Sequence, residues 1–384
     1  MSSGTFFFKS AVAAGLATMA IAAVASPRYK ITEVVGPSGQ QVNVGGMNDS
    51  GQLTGWVSSN TGPSQAFMTD ANGTDLKLLG PTDHGYSIGL GINNLGQVVG
   101  ETADFKVAKS LRGFVATSTN LQPIPMPDGY QSSISGINDG GRLVGYQLLP
   151  GDGYYYDAVV GDMRHGVRPI HGPYGDHLSL RDINAGGGIA GSDAKSYDYS
   201  AHVVTGTAAD LVDLGTLGGT RASAQAINDY NVLTGYSELE DGSIHALTGT
   251  LTGGLVDLGL PAGASASYGQ DINNHGVVTG SFRAGSDDRA FVHTDADGFI
   301  DLNLALDKAG PGWLLMSGKA INNAGQIAGQ GIFQGRAAAF LLTPVPEPET
   351  VALALAGLAV IIGMPSLRRR QSPRLKSAPL PHPP

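Results

Sequence analysis

The chain contains no cysteine, so disulfide bonds and thiolate chemistry are excluded from the outset. Aromatic residues are sparse at 7%, and Lys plus Arg number only 23 against 32 acidic residues, which argues against a nucleic-acid partner. No G-x-S-x-G word, phosphate-binding loop or paired zinc-ligand word is present. No cofactor, metal or catalytic residue is therefore expected from a linear motif. The low charge does not mean disorder, because 41% of residues are hydrophobic and the net charge is only -9. What is abundant is glycine, with 57 residues among many Val, Thr and Ile, the composition of short strands joined by tight turns.

The two ends read differently from the middle. Residues 1–25 carry one lysine, Lys9, then the apolar run "AVAAGLATMAIAAVA" and an A-x-A site at Ala23-Val24-Ala25, the pattern of a secretory signal peptide. Near the other end, "VPEPETVALALAGLAVIIGMPSLRRR" places Pro346, Glu347 and Pro348 before an apolar stretch, Val351 to Met364, and then Arg368, Arg369 and Arg370. That stretch is short for a free-standing span, and the basic cluster favours a cytoplasmic stop. The order of triplet, apolar helix and basic residues resembles the PEP-CTERM sorting signal. The resemblance implies recognition by an exosortase-type processing enzyme, transient anchoring in the inner membrane, and delivery to the cell surface or extracellular matrix. The tail 371–384 departs from the pattern, which usually ends soon after the arginines. The expected division is a signal peptide at 1–25, a repeat domain at 26–344, a sorting signal at 345–370 and a basic, proline-rich tail at 371–384. Setting aside Lys9, Arg368, Arg369, Arg370, Arg374 and Lys376 leaves 17 basic residues; without Glu347 and Glu349 there are 30 acidic ones, a net charge near -13 for the exported part.

Between the ends one word recurs seven times: "GMNDSGQLTG", "GINNLGQVVG", "GINDGGRLVG", "DINAGGGIAG", "AINDYNVLTG", "DINNHGVVTG" and "AINNAGQIAG". Its anchor asparagines are Asn48, Asn93, Asn138, Asn184, Asn228, Asn273 and Asn322, spaced by 45, 45, 46, 44, 45 and 49 residues. The residue before each anchor is Met or Ile, expected to face the core. The asparagine itself suits an Asx-type turn through its side-chain oxygen. Three residues later stands glycine, or Asn231 in the fifth copy, the signature of a left-handed position in a short hairpin loop. Each word ends on a strand glycine, from Gly55 to Gly329, which suggests a close backbone approach.

Further segments repeat with the word. One pairs a small residue with an apolar one, as in Ala66-Phe67 or Ala290-Phe291; another has the form "DLVDLG" at 210–215. Four strands in about 45 residues make a propeller blade. The seventh repeat lacks its last strand, and "YKITEVV" at 29–35 resembles the missing piece. The expected fold is therefore all-β: a seven-bladed β-propeller closed by an N-terminal strand, with an open solenoid or β-helix as the alternative. The "IN-N-x-G-x-VVG" word and the "HAF"-type segment resemble the HAF family of extracellular repeats, whose activity the resemblance leaves open.

Scattered candidates for chemistry read as structural. His202 and His245, on the "HAF" segment, are expected to support packing or a hydrogen bond. His165, His171 and His177 lack ligand spacing, and "DANG" at 70–73 and "DADG" at 295–298 lack the rest of a calcium loop. Three functions are compatible with this pattern. The first is a non-enzymatic structural or interaction role at the surface, linked to exopolysaccharide or biofilm. The second is glycan binding through Trp56, Tyr146 and Tyr236, which share one repeat position. The third is a polysaccharide lyase or hydrolase centred on the irregular fourth unit, with His171 and Asp176.

Overall fold

The computed structural model describes residues 28–58, 62–80, 85–150, 156–175, 177–194, 201–307 and 310–345. The expected signal peptide at 1–25, Pro346, Glu347, Pro348, Arg368, Arg369, Arg370 and Asp176 lie outside the described residues.

The fold is all-β, and its strands group in antiparallel fours. Around Asn48 the strands Gln41–Met47, Leu53–Ser58, Gln65–Met68 and Lys77–Leu79 pair in sequence order, and the units of Asn93 and Asn138 repeat the plan. The units of Asn184, Asn228 and Asn273 do the same but are joined into one twelve-stranded sheet through the isolated parallel pairs Ala201–Arg221 and Ile244–Ala266. Trp313–Ile321, Ile327–Phe333 and Arg336–Pro344 supply three strands of the last unit, and Tyr29–Val34 supplies the fourth, pairing antiparallel from Tyr29–Pro344 to Val34–Ala339. The resemblance of "YKITEVV" to a missing strand is thus explained by pairing across nearly the whole chain.

Each unit can bury a face only against its neighbours, because a single sheet of four short strands has no interior. The apolar clusters accordingly lie between units. One joins Val42, Val44, Leu53 and Phe67 to Ala328, Ala339 and Leu341, so the last unit packs on the first. The small–apolar pairs lie deep in these seams: Phe67, Phe114, Phe291 and Phe340 are fully buried. At Gly113 a side chain would meet Ile134 of the following unit, which is why that column stays small.

The word folds as a hairpin around its asparagine. In the first copy the Asn48 Oδ1 accepts from the amides of Ser50 and Gln52, at 3.1 and 3.0 Å, while Gly51 N–H donates to the Asn48 carbonyl. The residue three after each anchor has φ between 59° and 84° in all seven copies, Asn231 included. The closing glycine faces a β-bulge. In every unit the inner strand carries one extra residue just before the word's apolar position, for example between Val44 and Gly46. The bulge swings a carbonyl over the neighbouring strand, so a Cβ at Gly55 would strike Asn43 O, one at Gly100 Ile88 O, and one at Gly145 Ser133 O.

Candidate functional site

All seven words meet around one channel. A cavity of about 180 Å³ is lined by residues from every copy of the word. A second, of about 220 Å³, lies on the bulge side and shares Met47, Ile92, Ile137 and Ile321 with the first. The apolar residue before each anchor therefore does not simply enter a seam between units. It also belongs to a girdle around the channel, with hairpins at one mouth and bulges at the other.

At the hairpin mouth the anchor asparagines bond to one another. Asn48 Nδ2 donates to the Asn93 carbonyl at 3.0 Å, Asn93 to Asn138 at 3.0 Å, and Asn138 to Asn184 at 2.9 Å. Asn184 donates to Asn228 at 2.8 Å, Asn228 to Asn273 at 3.0 Å, and Asn273 to Asn322 at 3.0 Å. Asn322 then donates to Asn48 at 3.3 Å, and the cycle is complete. The anchors are only 3–5% exposed, so both ends of each amide need the partners they have. The oxygen holds its own turn; the nitrogen holds the next unit.

A second circuit runs outside the first, and sequence reasoning missed it. Its signal was the column after the anchor: Asp49, Asn94, Asp139, Ala185, Asp229, Asn274 and Asn323. Backbone N–H groups here donate to the next unit's side chain: Asp49 to Asn94 at 2.9 Å, Asn94 to Asp139 at 2.8 Å, Asp229 to Asn274 at 2.9 Å, Asn274 to Asn323 at 2.8 Å, and Asn323 to Asp49 at 3.0 Å. Asn94 also bridges the carboxylates of Asp49 and Asp139. Ala185 has no side-chain acceptor and interrupts the circuit.

Two carboxyl groups stand inside the channel where the other copies have Gly or Ala. Asp182 accepts from Ile183 N–H at 2.8 Å and from Ile227 N–H, in the next unit, at 2.9 Å. Asp271 does the same with Ile272 at 2.8 Å and Ile321 at 2.7 Å. Both touch channel solvent yet are surrounded by protein. Burial raises the carboxyl of Asp182 above its ordinary range and, with Asp182 nearby, pushes that of Asp271 up to about 7. Asp271 is thus a tie between units, a role that column comparison did not reveal. His275, at the hairpin tip of the same word, is exposed.

The remaining candidates resolve into pairs. His202 Nδ1 lies 2.9 Å from Asp213, and His245 Nδ1 lies 2.9 Å from Asp257, the same two columns in successive units; Arg289 and Asp301 repeat the pair in the following one. In the fourth unit Tyr174 adds its hydroxyl to Asp213 and, at 3.3 Å, to His202. Asp193 beside it is fully buried and accepts from Tyr174 N–H at 2.7 Å. His165 binds Asp162 in a hairpin, away from that cluster. Asp70 of "DANG" spends Oδ1 on the amides of Asn72, Thr74 and Asp75, so the segment is a turn. Among the described residues no group of three His, Asp or Glu is arranged to hold a metal ion. Of the shared aromatic column, Tyr146 packs edge-on against Tyr156 and Tyr236 against Tyr268.

Repeated four-stranded antiparallel units around a channel define a propeller-like repeat protein, and solved structures of that class are similar to the chain. A puromycin-hydrolysing peptidase of Mycobacterium tuberculosis aligns over 81% of this chain and 55% of its own, with 14% identity and a TM-score of 0.53. A streptogramin B lyase aligns over 83% of this chain and 98% of its own, with 12% identity and a TM-score of 0.50. A prolyl endopeptidase gives 84% and 51%, with 9% identity and a TM-score of 0.52. The chain spans about half the length of these peptidases, and at such identities the likeness is one of fold alone. No family model and no curated protein matches the sequence.

Proposed function

We propose that the chain is an exported seven-bladed β-propeller, closed by its N-terminal strand, that acts as a non-enzymatic structural or interaction protein. In this reading the HAF-type repeats form the displayed domain. The PEP-CTERM-type signal hands it, through an exosortase-type enzyme, to the cell surface or an exopolysaccharide matrix. The observation that carries the ring is the cycle of asparagine bonds returning from Asn322 to Asn48. The non-enzymatic role is supported by the use of the channel's two carboxylates on backbone amides. The His–Asp pair of the fourth unit also recurs in the fifth, as a fold device would.

Small-angle scattering from residues 26–344 tests the ring. A compact disc gives a radius of gyration of about 20 Å; a rod-like profile refutes it. Cell fractionation tests the sorting: replacing Arg368, Arg369 and Arg370 by Gln should leave the protein in the membrane or secreted fraction instead of at the surface. An unchanged distribution removes the sorting proposal without touching the fold.

A further inference from the structure

The bulge-side mouth is built differently from the hairpin mouth. Its rim is made by the extra residue of each bulge: Gly45, Leu90, Ser135, Arg181, Gln225, Gln270 and Lys319. A bulge turns its surplus side chain out of the ladder, and here the geometry turns these residues toward one cavity. Three of them have chemistry to spare. The side chains of Arg181, Gln270 and Lys319 make no hydrogen bond or ion pair among the described residues. That is unexpected in so acidic a chain, because an unpaired cation readily finds a carboxylate on such a surface. The carboxyls lining this cavity, Asp182 and Asp271, are already occupied by backbone amides on both oxygens. Lys319 is half-buried, and burial lowers the pKa of its ammonium. Arg181 stands near Tyr146, whose hydroxyl is held above its ordinary pKa chiefly by burial and then by the Glu101 carboxylate, with Arg181 acting in the opposite direction.

We propose that this mouth is a binding site for one small carboxylate-bearing polyhydroxy ligand, of the class of a uronic acid. Lys319 and Arg181 meet the carboxylate, while the Gln270 amide meets a hydroxyl group. The cavity of about 220 Å³ suits one sugar-sized body. The Gln270 amide beside the cations favours a hydroxylated anion over a bare one. The site goes beyond the scaffold role and does not depend on export. It also differs from a glycan site repeated in every unit, since only the fourth and seventh units supply cations.

Titration of the full chain with D-glucuronate, followed by calorimetry, tests the proposal. Glucose and inorganic phosphate serve as separate arms, and a galacturonate tetrasaccharide distinguishes a free sugar from a chain end. Saturable binding of glucuronate is expected, with no heat from glucose. Lys319→Gln should weaken it at least tenfold, Lys319→Arg should retain most of it, and Arg181→Gln should weaken it without changing the thermal midpoint. Tetrasaccharide binding at least as tight as the monomer assigns a chain end; weaker binding assigns the free sugar. No saturable binding of glucuronate overturns the proposal, as does equal affinity in Lys319→Gln and the parent protein, or phosphate binding as tightly as glucuronate. Because scattering alone reports the ring, a failed titration leaves the propeller reading intact.

Discussion

At the scale of single residues, the molecule rests on asparagines that each do two jobs. In Asn93 the side-chain oxygen accepts from Leu95 and Gln97, and the nitrogen reaches Asn138. Asn93→Asp preserves the turn but cannot donate to the neighbour. It should cost about 1–3 kcal/mol, measured by urea unfolding, because the new carboxylate oxygen faces the Asn138 carbonyl and Gln97 Oε1, both acceptors, where the amide nitrogen donated. Ala185→Asn acts in the opposite direction. It supplies the acceptor missing from the outer circuit for the Asp139 amide and should stabilise by about 1 kcal/mol in the same assay. At Gly100 a methyl group meets Ile88 O, so Gly100→Ala should destabilise by about 1–3 kcal/mol or more. At Gly141 no atom lies near an added Cβ, and only the left-handed backbone resists the change. Asp271 adds a dependence on pH. Its folded pKa is raised, so the native state holds a proton that the unfolded chain releases near pH 4. The associated stabilisation is full below that point and is lost as pH rises toward 7. Asp271→Asn should flatten the thermal midpoint across that window; an unchanged slope would assign the dependence elsewhere.

At the scale of elements, the repeat word was legible because its columns constrain chemistry. A position held by glycine with asparagine as the sole substitute had to be left-handed, and Asn231, with φ 59°, is. The strand supplied by Tyr29–Val34 was legible for the same reason, since the seventh repeat lacked one and a segment of the right type stood at the other end. The bulges were not legible. A bulge is one unpaired residue, and Gly45, Ser135 and Lys319 share no property that marks it. The ties of Asp182 and Asp271 were hidden because their partners are backbone amides 45 and 50 residues away, which have no sequence signature. For the terminal strand, Thr32→Pro removes an amide from the ladder with Leu341, because the Arg28–Val345 bond sets the even-numbered amides of this strand toward Arg336–Pro344. It should lower the thermal midpoint of the whole domain in a single transition. A separate early transition would mean that the last unit melts alone.

At the scale of the whole molecule, the two ends of the domain leave it side by side. Val345 N–H donates to the Arg28 carbonyl at 2.8 Å, and beyond that bond the chain runs back along Arg336–Pro344. That strand is hydrogen-bonded along both edges, to Ile327–Phe333 and to Tyr29–Val34, whereas the outer edge of Tyr29–Val34 is held at Tyr29, which exchanges backbone bonds with Ala305 and Asp307. The two ends are therefore mechanically unequal. Tension applied through Val345 must break both ladders before the last unit yields, while tension applied through Arg28 breaks the two bonds of Tyr29 to Ala305 and Asp307 and then peels one ladder a bond at a time. A tether on the C-terminal side would load the stronger grip, and a pull from the N-terminal side would open the domain at lower force.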